Sequence, residues 1–385
     1  MSGAPAAVGR NNPWLDLVRA LAIALVLLRH GERALSDAGR GSDGAWATIA
    51  LNGWIGVDLF FVLSGYLIAR HLVRAGLGAA GFSWGRYLTL RALRIVPAYY
   101  AVLLLTAAGL FPLYAVAPEG LGWRVAYHLA FLQDYLPSDI DVVFWSLGVE
   151  EKFYLAAPFL ILALLRCRNA RTQAFGLLGL FAAPSAIRIA LYATHPGGLD
   201  YVTFWSAFRS PFHMSLEGFV VGVAIALAQT RGALPTGRRA GTAVLTGSAV
   251  LLGAWLASHV FMARIEAFDI ALQPPLIALA CGGLVLGGVM LGATPMPGVA
   301  RRPAAFVAQL SYSLYLIHFP LIPLALALGG AGGGFWPIYL AISLAAALVL
   351  HGAVERPFLE LKSRIAARPR RQSGADALGE SVSAT

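Results

Sequence analysis

Charged side chains are scarce in this 385-residue chain: Asp, Glu, Lys and Arg together make up 12% of it, where a globular protein carries about a quarter. With 58% hydrophobic residues, the chain has too little polar surface to hide its apolar content in a water-soluble fold. Soluble domains are excluded, and the composition calls for an all-α, polytopic transmembrane bundle. Cysteine is almost missing. Cys167 and Cys281 lie in or beside different apolar segments, which excludes a disulfide framework and a CxxC metal pattern and argues against a thiol nucleophile. The sequence also lacks a glycine-rich phosphate loop, a metal signature and an internal repeat at fixed period. No small-residue cleavage pattern follows the mostly polar first thirteen residues, so the first apolar stretch is expected to stay as a span. The net charge of +10 does not imply nucleic acid, because the arginines cluster between apolar runs, as in a membrane protein.

A span needs about 17 to 25 mostly apolar residues. About ten segments qualify, near 14–30, 51–71, 95–116, 145–165, 174–193, 211–229, 241–261, 272–292, 308–328 and 335–354. The apolar piece from Trp123 to Leu132 is short and ends at Gln133 and Asp134, so it is expected at the interface or as a re-entrant piece. Every second connection is rich in arginine: Arg74 to Arg94, then Arg166 to Arg171, Arg231 to Arg239, Arg301 and Arg302, and the stretch after Glu355. The intervening connections are acidic or uncharged. An even number of spans with both termini cytoplasmic follows from that alternation, in a plasma (inner) membrane, with residues 1–365 as one membrane domain. Residues 366–385 show no apolar period and are expected as a disordered cytoplasmic tail.

Polar residues inside such spans are the candidates for function, since each costs several kcal/mol unless it meets a partner or water. In WLDLVRALAIALVLLRH, Arg19 and His30 are eleven positions apart, hence on one helix face and roughly 16 Å from each other. Asp16 and Arg19 could equally form an (i, i+3) surface pair. Arg91 and Arg94 project from one side of a helix start and suit either phosphate binding or plain membrane anchoring, with Arg86 nearby. Glu150 and Glu151 stand in an apolar, aromatic-flanked span start, where a carboxylate can orient a histidine, take a proton, or only mark the interface. They point about 100° apart, so one at most faces a given site. His318 is a lone histidine in an apolar span. Asp58 and Ser64 could be packing groups, with Gly56 and Gly65 allowing close helix approach.

Taken together and in order, these elements resemble the acyltransferase-3 family of integral membrane O-acyltransferases, nearly end to end. The Arg-x10-His span is Arg19 and His30; the Gly-Val-Asp-x-Phe-Phe-Val-x-Ser-Gly element is Gly56 to Gly65. Arg-x-x-Arg with a following proline falls on Arg91, Arg94 and Pro97. Trp-Ser-Leu-x-Val-Glu-x-x-Phe-Tyr falls on Trp145 to Tyr154, and Ser-Tyr-Ser-x-Tyr-Leu-x-His on Ser311 to His318. Leu90 and Lys152 depart from the pattern, and Lys152 could alter an acceptor entrance. The resemblance implies transfer of an acyl group, acetyl by default, from acyl-CoA (acetyl-CoA) as donor substrate to a hydroxyl of a cell-envelope or exported glycan, without a permanently bound cofactor or metal. A secreted natural product or lipid-linked sugar is the other acceptor class. It further implies His30 as base, Glu150 orienting its imidazole, Arg19 binding donor or stabilising an oxyanion, and Arg91 and Arg94 holding coenzyme phosphates. Asp16, Asp58, Ser64, Trp145, Ser146, Tyr154, Ser311, Tyr312 and His318 are the substrate or structural candidates. Some relatives carry an appended esterase-like domain; here activity is expected from the membrane part alone. A transporter and a catalytically silent scaffold remain the competing readings, and oligomeric state is unread.

Overall fold

In the computed structural model the described residues are 12–79, 82–167, 169–195, 199–235, 237–258, 266–292, 294–330 and 333–367. Most of the expected tail, 368–385, lies outside them. Among the described residues the elements are helical: α1 (Pro13–Asp37), α2 (Gly44–Leu51), α3 (Ile55–Arg74), α4 (Trp84–Ala107), α5 (Leu121–Leu129), α6 (Trp145–Arg166), α7 (Ala170–Tyr192), α8 (Tyr201–Thr203), α9 (Leu216–Thr230), α10 (Arg238–Ser258), α11 (Ala267–Ala271), α12 (Gln273–Leu291), α13 (Gly298–Ile317), α14 (Ile322–Gly329), α15 (Phe335–Leu350) and α16 (Arg356–Ala367).

The first helix starts where its sequence says it should. Asn12 accepts from the backbone N–H groups of Trp14 at 3.0 Å and Leu15 at 3.4 Å, and Pro13 occupies the first turn, where a missing N–H costs nothing. The same Asn12 donates to the carbonyl of Gly288 at 2.8 Å, which fastens the start of α1 to α12.

Helix α3 sits at the centre and is almost wholly buried, packed by α1, α9, α6 and α12. Glycine makes this possible. A Cβ on Gly65 would stand 2.3 Å from the carbonyl oxygen of Phe219, and one on Gly222 would stand 2.2 Å from that of Val62, so α3 and α9 touch backbone to backbone. Phe219 then stacks between Phe61 at 4.7 Å and Phe153 at 4.2 Å, tying α6 to the same seam. By contrast α7 buries only Gln173, Pro184 and Arg188, and α10 only Gly241, Leu252 and Leu256; their remaining apolar faces are left for lipid.

Among the described residues six helices are long and apolar enough to cross a bilayer: Gly44–Arg74, Trp84–Ala107, Ala170–Tyr192, Arg238–Ser258, Gln273–Leu291 and Phe335–Ala367. A seventh counts if α13 and the stretch Phe319–Gly329 are one span, bent by 65°. The sequence-based number of about ten is therefore larger than length and apolarity alone support. The difference lies in α1 and α6, whose apolar runs are interrupted by charges, and in α9, which is apolar but short. His318 occupies the bend itself, and Pro320, with no N–H to give, helps keep α13 from running on.

Between α4 and α6 the chain forms a loop around α5, and two of its carboxyl groups are buried. Asp134 accepts from Lys152 Nζ at 2.5 Å; the same ammonium reaches the carbonyl of Phe131, a residue at φ 57°, at 2.5 Å. Lys152 thus ties the loop to α6. Asp141 accepts from the backbone N–H of Val143 at 3.1 Å, while its second oxygen has no partner among the described residues. Burial pushes the Asp141 carboxyl up to about 8. The folded protein therefore keeps this proton up to about pH 8, whereas the unfolded chain releases it near pH 4, so stability falls with rising pH between those values, by about 1.4 kcal/mol per unit. Asp141→Asn keeps the cap and cannot ionise. Thermal unfolding of detergent-solubilised protein at pH 5 and pH 8 should show a lower midpoint at pH 8 for the parent and a smaller difference for the variant; equal differences would rule out a protonated Asp141.

Candidate active site

Three adjoining cavities run along α1. The widest, about 760 Å³, lies between α1, α13, α15 and α16 and is lined by Asp16, Arg19, Arg94, His351, Arg356 and Glu360 among others. A narrower one of about 160 Å³ follows between α1, α3, α4, α6 and α13. It gathers Arg19, Ser64, Arg91, Arg94, Ser146, Glu150, Tyr154, Ser311 and Tyr312, nine residues that the sequence singled out from five separate segments. Arg19 and Arg94 border both spaces. The third, about 210 Å³, holds His30 with Arg29, Arg33, Trp54, Trp145, Tyr201, Trp205, Arg209 and Phe319. Only Val57 and Tyr315 border both the second and the third.

The arginine end is ordered by carboxylates. Arg94 donates to Glu355 at 2.5 Å and lies 5.7 Å from the Tyr312 ring. Glu355 is 2% exposed; its other oxygen accepts from Ser313 at 2.7 Å and lies 2.9 Å from His351 Nδ1. It closes a π-helical turn, His351–Glu355, whose wider winding is a common mark of functional sites. Arg19 keeps the (i, i+3) pair with Asp16 at 3.3 Å and still faces the cavities. Arg91 lies 5.7 Å from the Tyr87 ring, and its buried Nε has no partner among the described residues. Arg86 points elsewhere, donating to the carbonyls of Ile365 at 3.2 Å and Ala366 at 2.6 Å, where it caps the end of α16.

In the middle cavity Glu150 accepts from Ser64 at 2.5 Å. Ser311 and Tyr312 also spend their hydroxyls locally, on the carbonyls of Ala308 and Ile95 at 2.9 and 2.8 Å. Across its far end stands Tyr315. Its hydroxyl donates to the Val143 carbonyl at 2.8 Å and lies 2.5 Å from Ser146 Oγ, so the partition is pinned from the start of α6 and the turn just before it.

Beyond the partition, His30 Nδ1 lies 3.0 Å from His318 Nε2. His318 Nδ1 in turn lies 3.0 and 2.9 Å from the carbonyls of Leu314 and Tyr315 at the end of α13. A ring nitrogen facing two carbonyl oxygens carries the proton, so His318 Nε2 is the acceptor, His30 Nδ1 donates to it, and His30 Nε2 keeps its lone pair. The expectation that Glu150 orients this imidazole is not met. Glu150 opens onto the middle cavity and His30 onto the next; the His30 ring is fixed by His318 together with the Val26 backbone. Arg19, about 16 Å along α1 from His30, lines the first two cavities and not the third.

Asp58 borders none of these cavities. It accepts from Arg209 at 2.8 Å, and that guanidinium is held between the rings of Trp54 at 5.4 Å and Trp145 at 5.3 Å. Four residues escaped the sequence reading: Glu355, Tyr315, Arg209 and Arg29. Glu355 had a usable signal, an acid directly following the tenth apolar run, and Tyr315 lies inside the quoted Ser311 to His318 element. Arg209 could not have been matched to Asp58 from a separation of 151 residues.

Comparison with known proteins identifies relatives of the chain. A family model described as an acyltransferase domain, Acyl_transf_3, matches residues 12–352. The chain is 27% identical over 344 residues to the peptidoglycan O-acetyltransferase OatA of Listeria monocytogenes, covering 81% of this chain and 49% of that protein. It is 25% identical over 359 residues to the putative peptidoglycan O-acetyltransferase YrhL of Bacillus subtilis, covering 86% and 52%. With Nodulation protein 10 of Rhizobium leguminosarum bv. viciae it shares 26% identity over 388 residues, covering 93% and 96%. The chain thus spans about half the length of the first two relatives. No solved structure matches it.

Proposed function

The chain belongs to the acyltransferase-3 family, and on that premise we propose that it moves an acyl group, acetyl in the simplest case, from acyl-CoA to a hydroxyl of a glycan. The observation that carries this reading is the row of adjoining cavities, with Arg19, Arg91 and Arg94 at one end and His30, beside Arg29, Arg33 and Arg209, at the other. The wide cavity suits the nucleotide part of the donor, whose phosphates would meet Arg19, Arg91 and Arg94. The narrow cavity suits the pantetheine arm. That arm carries two amides, and Ser64, Ser146, Glu150 and Tyr154 offer hydrogen-bonding groups along otherwise apolar walls. The thioester would then reach Tyr315, which has to shift for the carbonyl to meet His30.

Chemistry at that point needs only one proton carrier. The acceptor hydroxyl attacks the thioester carbonyl carbon as His30 Nε2 takes its proton, and the positive charge is shared through Nδ1 with His318. Collapse of the tetrahedral intermediate breaks the C–S bond, and the leaving thiolate takes the proton back, leaving ester and free thiol. His318 acts through His30 and is a positioning residue in this account.

The same reading places ten spans in the membrane by adding α1, α6 and α9 to the apolar helices, with α13 and α14 as one broken span. Both termini, and the arginine end of the cavities, then face the cytoplasm, and His30 lies towards the outside. Helices broken at a binding site are common where backbone carbonyls must reach a polar group within a membrane. To test the function, purified protein is incubated with acetyl-labelled coenzyme A and a panel of glycans, lipid-linked sugars and small hydroxylated metabolites. Label in an ester of one of these is expected; movement of an acceptor across proteoliposomes without label would mean a transporter, and inert protein a scaffold.

A further inference from the structure

Helix α16 lies beyond the residues that match the family model, 12–352, and packs antiparallel along α4. Its register is fixed at both ends. Glu355, just before it, holds Arg94, and the carbonyls of Ile365 and Ala366 hold Arg86. Positions 355, 359, 362 and 366 fall on one helical stripe, so the stripe tied to α4 at both ends carries Lys362 between the ties.

Lys362 is partly buried there, with Arg91 and Arg94 as its charged neighbours. Arg94 has Glu355, but Arg91 and Lys362 make no ion pair or hydrogen bond among the described residues. The two helices hold no acid to spare. α4 contains no Asp or Glu, and Glu360, the one acid of α16, is paired with Arg356 at 3.0 Å. Glu150 and Glu151 face Arg91 from α6, and neither forms an ion pair with it. Two neighbouring cations in a partly dehydrated seam repel one another, and a double negative charge between them removes that cost.

The seam adjoins the wide cavity. Leu359 and Ser363, on either side of Lys362 in the chain, line that cavity with Arg94, and it is the space assigned above to the donor's nucleotide part. In coenzyme A the diphosphate bridge spreads its charge over two phosphorus atoms, whereas the ribose 3′-phosphate is a monoester that carries about −1.5 to −2 at neutral pH. A pair of uncompensated cations matches the monoester.

We propose that Lys362 and Arg91 bind the ribose 3′-phosphate of the acyl donor, so that the protein distinguishes coenzyme A from its 3′-dephospho form. The inference rests on the reading of acyl-CoA as donor and adds to it a residue from outside the matched region. Arg91 supplies a planar fork for two phosphate oxygens, and the Lys362 ammonium, on its flexible stem, meets the third.

Equilibrium titration of the purified full chain with coenzyme A and with 3′-dephospho-coenzyme A tests this without catalysis. The parent is expected to bind coenzyme A roughly tenfold or more tightly than the dephospho form, the worth of hydrogen bonds to a charged group. Lys362→Gln should weaken coenzyme A alone, unchanged binding of the dephospho form showing that the fold is intact, and Lys362→Arg, which keeps the charge, should keep most of the preference. Equal binding of the two compounds by the parent, a preference that survives Lys362→Gln, or its loss in the arginine variant as much as in the glutamine one would overturn the inference. In each of those cases coenzyme A is still bound and the acyl-CoA reading stands. Binding of neither compound by the parent would overturn both. Micelles containing phosphatidic acid test the other source of a phosphate monoester: Lys362-dependent retention of that lipid, undisplaced by coenzyme A, would overturn the assignment to the donor.

Discussion

His30→Ala lowers acyl transfer by about 10²–10⁴-fold, the usual contribution of a positioned general base, and leaves donor affinity unchanged. The expectation follows from the two cavities. His30 faces the third and none of the arginines of the second, so removing its ring takes away the proton acceptor without touching the donor's contacts. His318→Ala should cost less and in a different way. Its loss leaves the Val26 backbone as the remaining hydrogen-bond partner of the His30 imidazole, which then turns over more readily and reduces the fraction of protein with a bare Nε2. Glutamine at 318 can offer an amide oxygen to His30 Nδ1 and should recover part of what alanine loses. Steady-state kinetics with donor and acceptor varied separately gives the check: a change in donor KM in His30→Ala, or no difference between the two His318 variants, contradicts the assignment.

Arg94→Gln raises the donor KM by roughly 10- to 100-fold with a much smaller change in kcat, since a hydrogen bond to a charged group contributes about 1.5–3 kcal/mol. Glu355→Gln should move in the same direction by a smaller factor. Its carboxylate holds Arg94, Ser313 and His351 in one buried group, and a neutral amide orients the guanidinium less firmly. Raised ionic strength should weaken donor binding in the parent more than in Arg94→Gln, because one screened attraction is already gone. A donor lacking the nucleotide phosphates separates binding from folding defects: parent and Arg94→Gln should use it about equally well. An Arg94 effect that persists with that donor would show the residue acting on the chemistry.

The helical class and the membership of the middle cavity were legible in the sequence because each depends on spacing within one helix or on a charge inside an apolar run. Arg91 and Arg94 share a face by (i, i+3) geometry, and Ser64, Glu150 and Arg19 stand out as polar groups where lipid would reject them. Which of these groups meet is a different kind of fact. His30 and His318 are 288 residues apart, and their contact depends on α13 breaking at His318 and turning the ring towards α1. Glu150 looked like the carboxylate for an imidazole because catalytic histidines often have one, but α6 carries it to the other side of Tyr315. The count of spans was harder for the same reason that the site exists: the charges that make α1 and α6 useful also lower their apolarity below that of a simple span. Gly56 and Gly65 were correctly expected at close helix contacts, since only a missing Cβ admits the carbonyls of Ala22 and Phe219.

The central claim is that donor and acceptor come from opposite ends of one row of cavities and meet at Tyr315 and His30. Proteoliposomes of uniform orientation, with labelled acetyl-CoA confined to one side and a membrane-impermeant glycan acceptor to the other, test it directly. Labelled glycan should form only when the donor is on the side of Arg91 and Arg94 and the acceptor on the side of His30. Product formed with both substrates on one side alone, or at the same rate in either arrangement, would contradict the account.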